Sequence, residues 1–155
     1  MGNKAMISIR EATLSDLDAI MSVEQACFKV DGFNKRQFRR LIVTSTSRVF
    51  VITHRDKVIG HGVVLVTPLR NGQTKGRVYS LAVLPEHEHQ GYGRQLRAHM
   101  WAYLASISVA YITAECHAEN KRLVKSNTLA GYRITGGLKG YYTDGSDAFR
   151  WRKDL

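Results

Sequence analysis

Apolar and polar positions along the chain switch repeatedly between a period of two and a period near 3.6, and those switches predict the elements. Ile7-Ser8-Ile9-Arg10 alternates and reads as a first strand. Ser15 is the expected cap of a first helix, with Asp16 and Asp18 in its opening turn and Leu17, Ile20, Met21 and Glu24 at helical spacing. Residues 28–33 read as a loop turning at Asp31-Gly32, and Asn34 with Gln37 three positions on predicts a capped second helix. Residues 48–53 and the β-branched run 58–67, joined through Arg55-Asp56-Lys57, predict a hairpin. Asn71-Gly72 marks the next turn, followed by a strand over 77–84. A helix is predicted over 91–107, with Leu96, Met100, Leu104 and Ile107 on one face, then a strand over 109–116. A helix over 120–130 stops at Gly131, and 132–138 with 148–151 reads as a closing hairpin. The order β-α-α-β-β-β-α-β-α-β-β implies an α/β layered sheet with helices on both faces. Its strand–helix–strand passage around 77–116 demands a parallel or crossover arrangement.

The length of 155 residues fits one domain, expected over 1–155, with 1–5 as a leader ahead of a second start at Met6. Hydrophobic residues at 44% and charged residues at 23% suffice for a core. No apolar run reaches about 18 residues and no basic stretch precedes an apolar one, so neither a spanning helix nor a secretory signal is expected. Cys27 and Cys116 are far apart and unaccompanied, which points to free thiols in a reducing cytoplasm. The net charge of +10 attracts polyanions, a phosphorylated cofactor among them, but the basic residues are scattered apart from Lys35-Arg36, Arg39-Arg40 and Lys121-Arg122. No nucleic-acid motif accompanies them. His87 and His89 lack a third ligand nearby, so no metal is expected.

The most informative stretch runs from Tyr79 to Arg94. A strand ends at Pro85, a short polar loop follows, and Gly91-Tyr92-Gly93 opens a helix. Glycines there let backbone approach a ligand, and the free N–H groups at the helix start favour an anion, a pyrophosphate above all. On the glycines alone, a turn without a ligand is the commoner meaning.

Val83-Leu84-Pro85 followed by Gln90-Gly91-Tyr92-Gly93 resembles the signature of the GNAT superfamily of N-acetyltransferases. The resemblance runs nearly end to end. Glu115-Cys116-His117-Ala118-Glu119-Asn120 looks like the matching stretch of ribosomal-protein-alanine acetyltransferases. The segment from Gly140 to Ala148, with its Tyr141-Tyr142-Thr143-Asp144-Gly145, is very similar to the tail of N-terminal acetyltransferase catalytic subunits.

The resemblance implies a mixed, mostly antiparallel sheet of about seven strands with about four helices. It implies acetyl-CoA as donor, with its pyrophosphate on the backbone N–H groups of His89, Gln90, Gly91, Tyr92, Gly93 and Arg94. The pantetheine arm and acetyl carbonyl would pair with the backbone of Leu81, Ala82 and Val83, and Asn120 would reach the same arm while capping its helix. It further implies Glu115 as general base, Tyr141 and Tyr142 in the acceptor slot, and Phe28 and Phe33 walling the acceptor groove. Arg94, Lys121, Arg122 and Lys125 are candidates for the adenosine 3′-phosphate. The implied acceptor is a primary amine, foremost a protein or peptide N-terminus. A small-molecule amine and a degenerate acyl-CoA-binding module are the alternatives, and the assembly is expected as monomer or homodimer. Two positions depart from the family's pattern. Glu88 stands where a glutamine or arginine is usual, and Asn127 stands where a tyrosine serves as general acid, leaving Tyr132, Tyr141, Tyr142 or water for that task.

Overall fold

The computed structural model describes residues 6–155, so the expectation of a leader over 1–5 lies outside the described residues. In chain order the elements are β1 (Ile7–Glu11), α1 (Leu17–Cys27), α2 (Lys35–Val43), β2 (Ser47–His54), β3 (Lys57–Pro68), β4 (Thr74–Val83), α3 (Tyr92–Ser106), β5 (Tyr111–His117), α4 (Lys121–Leu129), β6 (Arg133–Leu138) and β7 (Ala148–Asp154). The strands form one seven-stranded sheet in the order β1-β2-β3-β4-β5-β7-β6. Every neighbouring pair is antiparallel except β4 with β5, which the α3 crossover makes parallel.

The two faces are set by adjacent residues of β3. A Cβ on Gly62 would meet Met100 and Leu96 of α3. His61, one residue earlier, points the opposite way, against Phe38 of α2 and Glu24 of α1. So α1 and α2 cover one face and α3 covers the other. The core runs through both layers, with Ile20, Phe38, Ile52, Ile59, Leu96, Met100, Leu104, Ile112 and Trp151 fully buried.

The boundaries differ from the sequence pattern where side chains compete with the backbone. Ser15 does not cap α1. A short 3-10 turn, Leu14–Asp16, comes first, and Asp16 precedes α1 without a side-chain cap of its own. The Asp16 carboxylate instead accepts from the Thr13 N–H at 2.8 Å and from both Arg10 Nη atoms at 2.8 and 2.9 Å. This charge-assisted fork ties the entry of α1 to β1 and holds the Asp16 carboxyl below the usual carboxylate range. The predicted hairpin is present, but its turn is Arg55-Asp56 alone, with Lys57 opening β3; both turn residues have positive φ, 52° and 65°, which suits the twist of a two-residue hairpin.

Gly60 marks a close approach inside the sheet. A Cβ there would lie 2.7 Å from the Ala82 carbonyl oxygen and 2.9 Å from Ile52 Cγ2. The substitution Gly60→Ala is expected to cost about 1–3 kcal/mol by overpacking. Urea unfolding should give a lower midpoint with an unchanged slope; an unchanged midpoint would contradict this packing.

Candidate active site

The parallel pairing of β4 with β5 lasts for three positions only, from Gly76↔Ile112 to Val78↔Ala114. Beyond it β4 stays with β3 to Val83, while β5 stays with β7 to His117, so the two strands part. The cause is visible in β4. Val78 pairs with Val64 and Ser80 with Val63, leaving Tyr79 without a partner. Such a bulge bends its strand and raises the local twist.

The bulge also resets which side chains face which layer. Gly76, before it, faces Leu104 of α3. Leu81 and Val83, beyond it, face Gly93 of α3. Arg77 and Tyr79 point to the opposite layer, where Tyr79 packs on Phe33 at 5.1 Å between ring centroids. The phase of the β3–β4 ladder is fixed by the bond from Leu84 N–H to the Ile59 carbonyl. In an antiparallel pair every second residue faces its partner. Ala82 therefore directs its backbone groups to His61, whereas Leu81 and Val83 direct theirs into the gap beside β5. Of the three residues expected to line the donor's arm through their backbone, Ala82 is thus turned away. The Val83 carbonyl accepts from the Cys27 thiol at 3.3 Å.

At the far end of the gap lies the glycine turn. His89 and Gly91 have positive φ, 64° and 85°, and Gly91 caps α3. Among the described residues, the N–H groups from His89 to Arg94 make no backbone hydrogen bond; the first is Gln95 N–H to the Gly91 carbonyl at 3.0 Å. They form a run of free donors at the positive end of a helix, which is the chemistry a diphosphate requires. The Glu88 side chain is half exposed and lies beside His89, 3.9 Å from its Nε2. Arg122 Nη1 stands 3.5 Å from the same nitrogen. Asn120 caps α4, its Oδ1 accepting from the Leu123 N–H at 3.1 Å.

On the α1–α2 face of the same gap stands a second group. Glu115 is on β5, and its side chain is only 7% exposed. Its Oε1 is gripped by Arg77 Nη2 from β4. Arg77 Nη2 also donates to the Tyr141 hydroxyl at 3.1 Å, and that hydroxyl reaches Glu115 Oε1 at 3.5 Å. The guanidinium lies over the Tyr79 ring at 4.6 Å. Tyr141 meets Tyr142 edge-on at 5.0 Å. Burial, then the neighbouring Cys116, Tyr141, Glu115 and Asp31, push the Tyr142 hydroxyl up to about 12, so it stays protonated through neutral and mildly alkaline pH. Sequence reasoning missed Arg77, because only the three-position register of β4 on β5 brings it to Glu115.

Two loops close over this group. Thr143 Oγ1 donates to Asp31 Oδ1 at 2.6 Å, joining the α1–α2 loop to the β6–β7 loop. Phe28 and Phe33 line a cleft of about 250 Å³ with Met21, Val30 and Glu24. Phe33, Tyr79, Gln37, Arg40 and Leu41 line a second of about 170 Å³. The Phe33 N–H is held by buried Glu24 Oε2 at 2.7 Å. His61 Nε2 lies 3.0 Å from Glu24 Oε1 in this buried pair, but the angles are not those of a hydrogen bond.

Among the alternatives for a proton donor, Tyr132 is elsewhere. It is buried against α3, where its hydroxyl accepts from Trp101 Nε1 at 2.8 Å and burial pushes it up to about 12. Asn127 is buried, with Oδ1 accepting from Arg97 Nη1 at 3.3 Å. Among the described residues no group of three or more His, Cys, Asp or Glu is arranged to hold a metal.

The Acetyltransferase (GNAT) family matches residues 17–126. The chain belongs to the GNAT family. It is 26% identical over 153 residues, covering 97% of this chain and 79% of the relative, to the N-terminal acetyltransferase A complex catalytic subunit NAA10 of Arabidopsis thaliana. The solved ribosomal-protein-S18-alanine N-acetyltransferase of Escherichia coli superposes with a TM-score of 0.84 at 22% identity, covering 97% of this chain and 94% of that one. Arabidopsis thaliana Naa50 in complex with the bisubstrate analogue CoA-Ac-MVNAL gives 0.83 at 17% identity, covering 97% and 99%. These likenesses fit a GNAT sheet opened between β4 and β5.

Gly91 tests the anion cradle of this GNAT fold. Gly91→Val forces a β-branched residue to a φ of 85°. Calorimetry should find the dissociation constant for coenzyme A raised by roughly tenfold, about 1.4 kcal/mol. An affinity equal to wild type would remove the loop from the site.

Proposed function

We propose that this GNAT enzyme transfers the acetyl group of acetyl-CoA directly to the α-amino group of a protein or peptide N-terminus. One observation carries the reading. The gap between β4 and β5 has free N–H donors and the α3 N-terminus at its outer end. The Glu115, Arg77, Tyr141 and Tyr142 group stands on the opposite face of the sheet. Donor and acceptor can therefore approach from opposite sides and meet where the strands part.

The residues present fit acetyl-CoA. The N–H groups from His89 to Arg94 suit the diphosphate, and the backbone of Leu81 with the Val83 N–H suits an extended amide arm. The bound donor supplies a thioester carbonyl open to attack by an amine. An α-amino group titrates at about 7.7–8.0, so at neutral pH one nearby proton acceptor is enough to make it nucleophilic. Glu115 faces the incoming nitrogen as a hydrogen-bond acceptor, and Arg77 and Tyr141 keep its carboxylate in place. The cleft lined by Phe28 and Phe33, on the α1–α2 loop that Asp31 joins to Thr143, suits an extended chain end. The two free thiols, Cys27 and Cys116, accord with a cytoplasmic setting.

Incubation with acetyl-CoA and a panel of peptides differing at the first residue should release coenzyme A and add one acetyl group at the N-terminus, read by mass spectrometry. Glu115→Gln is expected to lower kcat by about 10²-fold with little change in the KM for acetyl-CoA. Turnover confined to small amines, with every peptide silent, would replace the peptide acceptor with a small-molecule one.

A further inference from the structure

His117 stands two residues beyond Glu115 on β5 and so projects from the same face of the sheet. Its ring stacks on Tyr142 with centroids 3.5 Å apart and planes 15° apart. Tyr142 meets Tyr141, whose hydroxyl reaches Arg77 and Glu115, so the imidazole is the exposed end of one contiguous array.

Its tautomer follows from the partners behind it. Ser146 Oγ donates its one hydrogen to Asp144 Oδ1 at 2.5 Å, and the Ser146 N–H reaches the same oxygen at 2.9 Å. These bonds hold the Asp144 carboxyl below its ordinary range, so it is an anion at neutral pH. Ser146 Oγ then has only lone pairs left for His117 Nδ1, 3.1 Å away. Nδ1 must carry the hydrogen, and Nε2 is the basic nitrogen. The groups facing the imidazole are Tyr142, Ser146 and Asp144 from the β6–β7 loop, and Glu115 shares its face of β5. Asp31 of the α1–α2 loop stands behind Thr143.

We propose that His117 is the base of the transfer, oriented by Ser146 and Asp144, while Glu115, clamped by Arg77, aims the amine. This rests on the N-acetyltransferase reading. His117 Nε2 takes one proton from the acceptor's ammonium group. Glu115 accepts a hydrogen bond from the resulting amine and directs its lone pair at the thioester carbonyl carbon. As the C–N bond forms and the C–S bond breaks, the electron pair leaves on sulfur. The second proton lost by the nitrogen ends on that thiolate. The imidazolium returns its proton to solvent, to which His117 is open.

The test is the pH profile of His117→Phe, which keeps an aromatic ring on Tyr142 and cannot take a proton. Near pH 7, where roughly a tenth of such an amine is already neutral, kcat should fall by about tenfold at most with the KM for acetyl-CoA unchanged. Near pH 9.5, above the amine's own range of about 7.7–8.0, the acceptor deprotonates unaided and kcat should return to within about threefold of wild type. Ser146→Ala should give a smaller loss of the same shape. A merely structural role predicts a loss equal at both pH values. That result, or a His117→Phe kcat equal to wild type at neutral pH, would overturn the assignment. A wild-type chain silent toward every peptide and small amine would instead overturn the transferase reading beneath it.

Discussion

The structure depends on a place where a sheet stops being a sheet. Parallel strands hold each other through slanted hydrogen bonds, and any residue that leaves the ladder must find other partners or face a ligand. β4 and β5 share three register positions and then part at the Tyr79 bulge. Each strand keeps its other neighbour, β4 with β3 apart from Tyr79 and β5 with β7, so the cost of the opening is confined to the backbone groups on the two facing edges. The bulge both turns the strand away and moves Tyr79 and Arg77 to the face opposite Leu81 and Val83. One extra residue thereby separates a cradle for an anion from a group built around a carboxylate.

The arrangement of charge follows from that opening. The chain carries a net charge of +10, yet the cradle relies on backbone donors rather than on a cluster of lysines and arginines. Glu88, next to this turn, has its side chain half exposed and beside His89. On the opposite face the Arg77 guanidinium is fixed by three contacts, to the Glu115 carboxylate, the Tyr141 hydroxyl and the Tyr79 ring. Several weak contacts on a planar guanidinium define its direction better than any single one, which suits a group that must hold a carboxylate still.

Much of this was legible in the sequence because the elements carry strong local signals. The Asn34–Gln37 capping box, the β-branched run of β3 and the long amphipathic face of α3 each determine their element without help from elsewhere. The glycine turn was legible for the same reason, since positive φ at Gly91 is a local demand. Ser15 was misread because the competing bond from Arg10 to Asp16 links residues on different elements. The Arg77–Glu115 clamp, the insertion of β7 between β5 and β6, and the tautomer of His117 were beyond reach. Each is a relation between distant segments, set by a bulge and a strand order that no single window of sequence encodes.

Amide hydrogen exchange with and without acetyl-CoA tests the central claim most directly, because it reads the gap residue by residue. Protection should rise at Leu81, Val83 and from His89 to Arg94, with Ala82 already slow in the free chain through its bonds to β3. Protection that leaves these amides unchanged, or that appears at the outer strands β1 and β6 instead, would contradict the account.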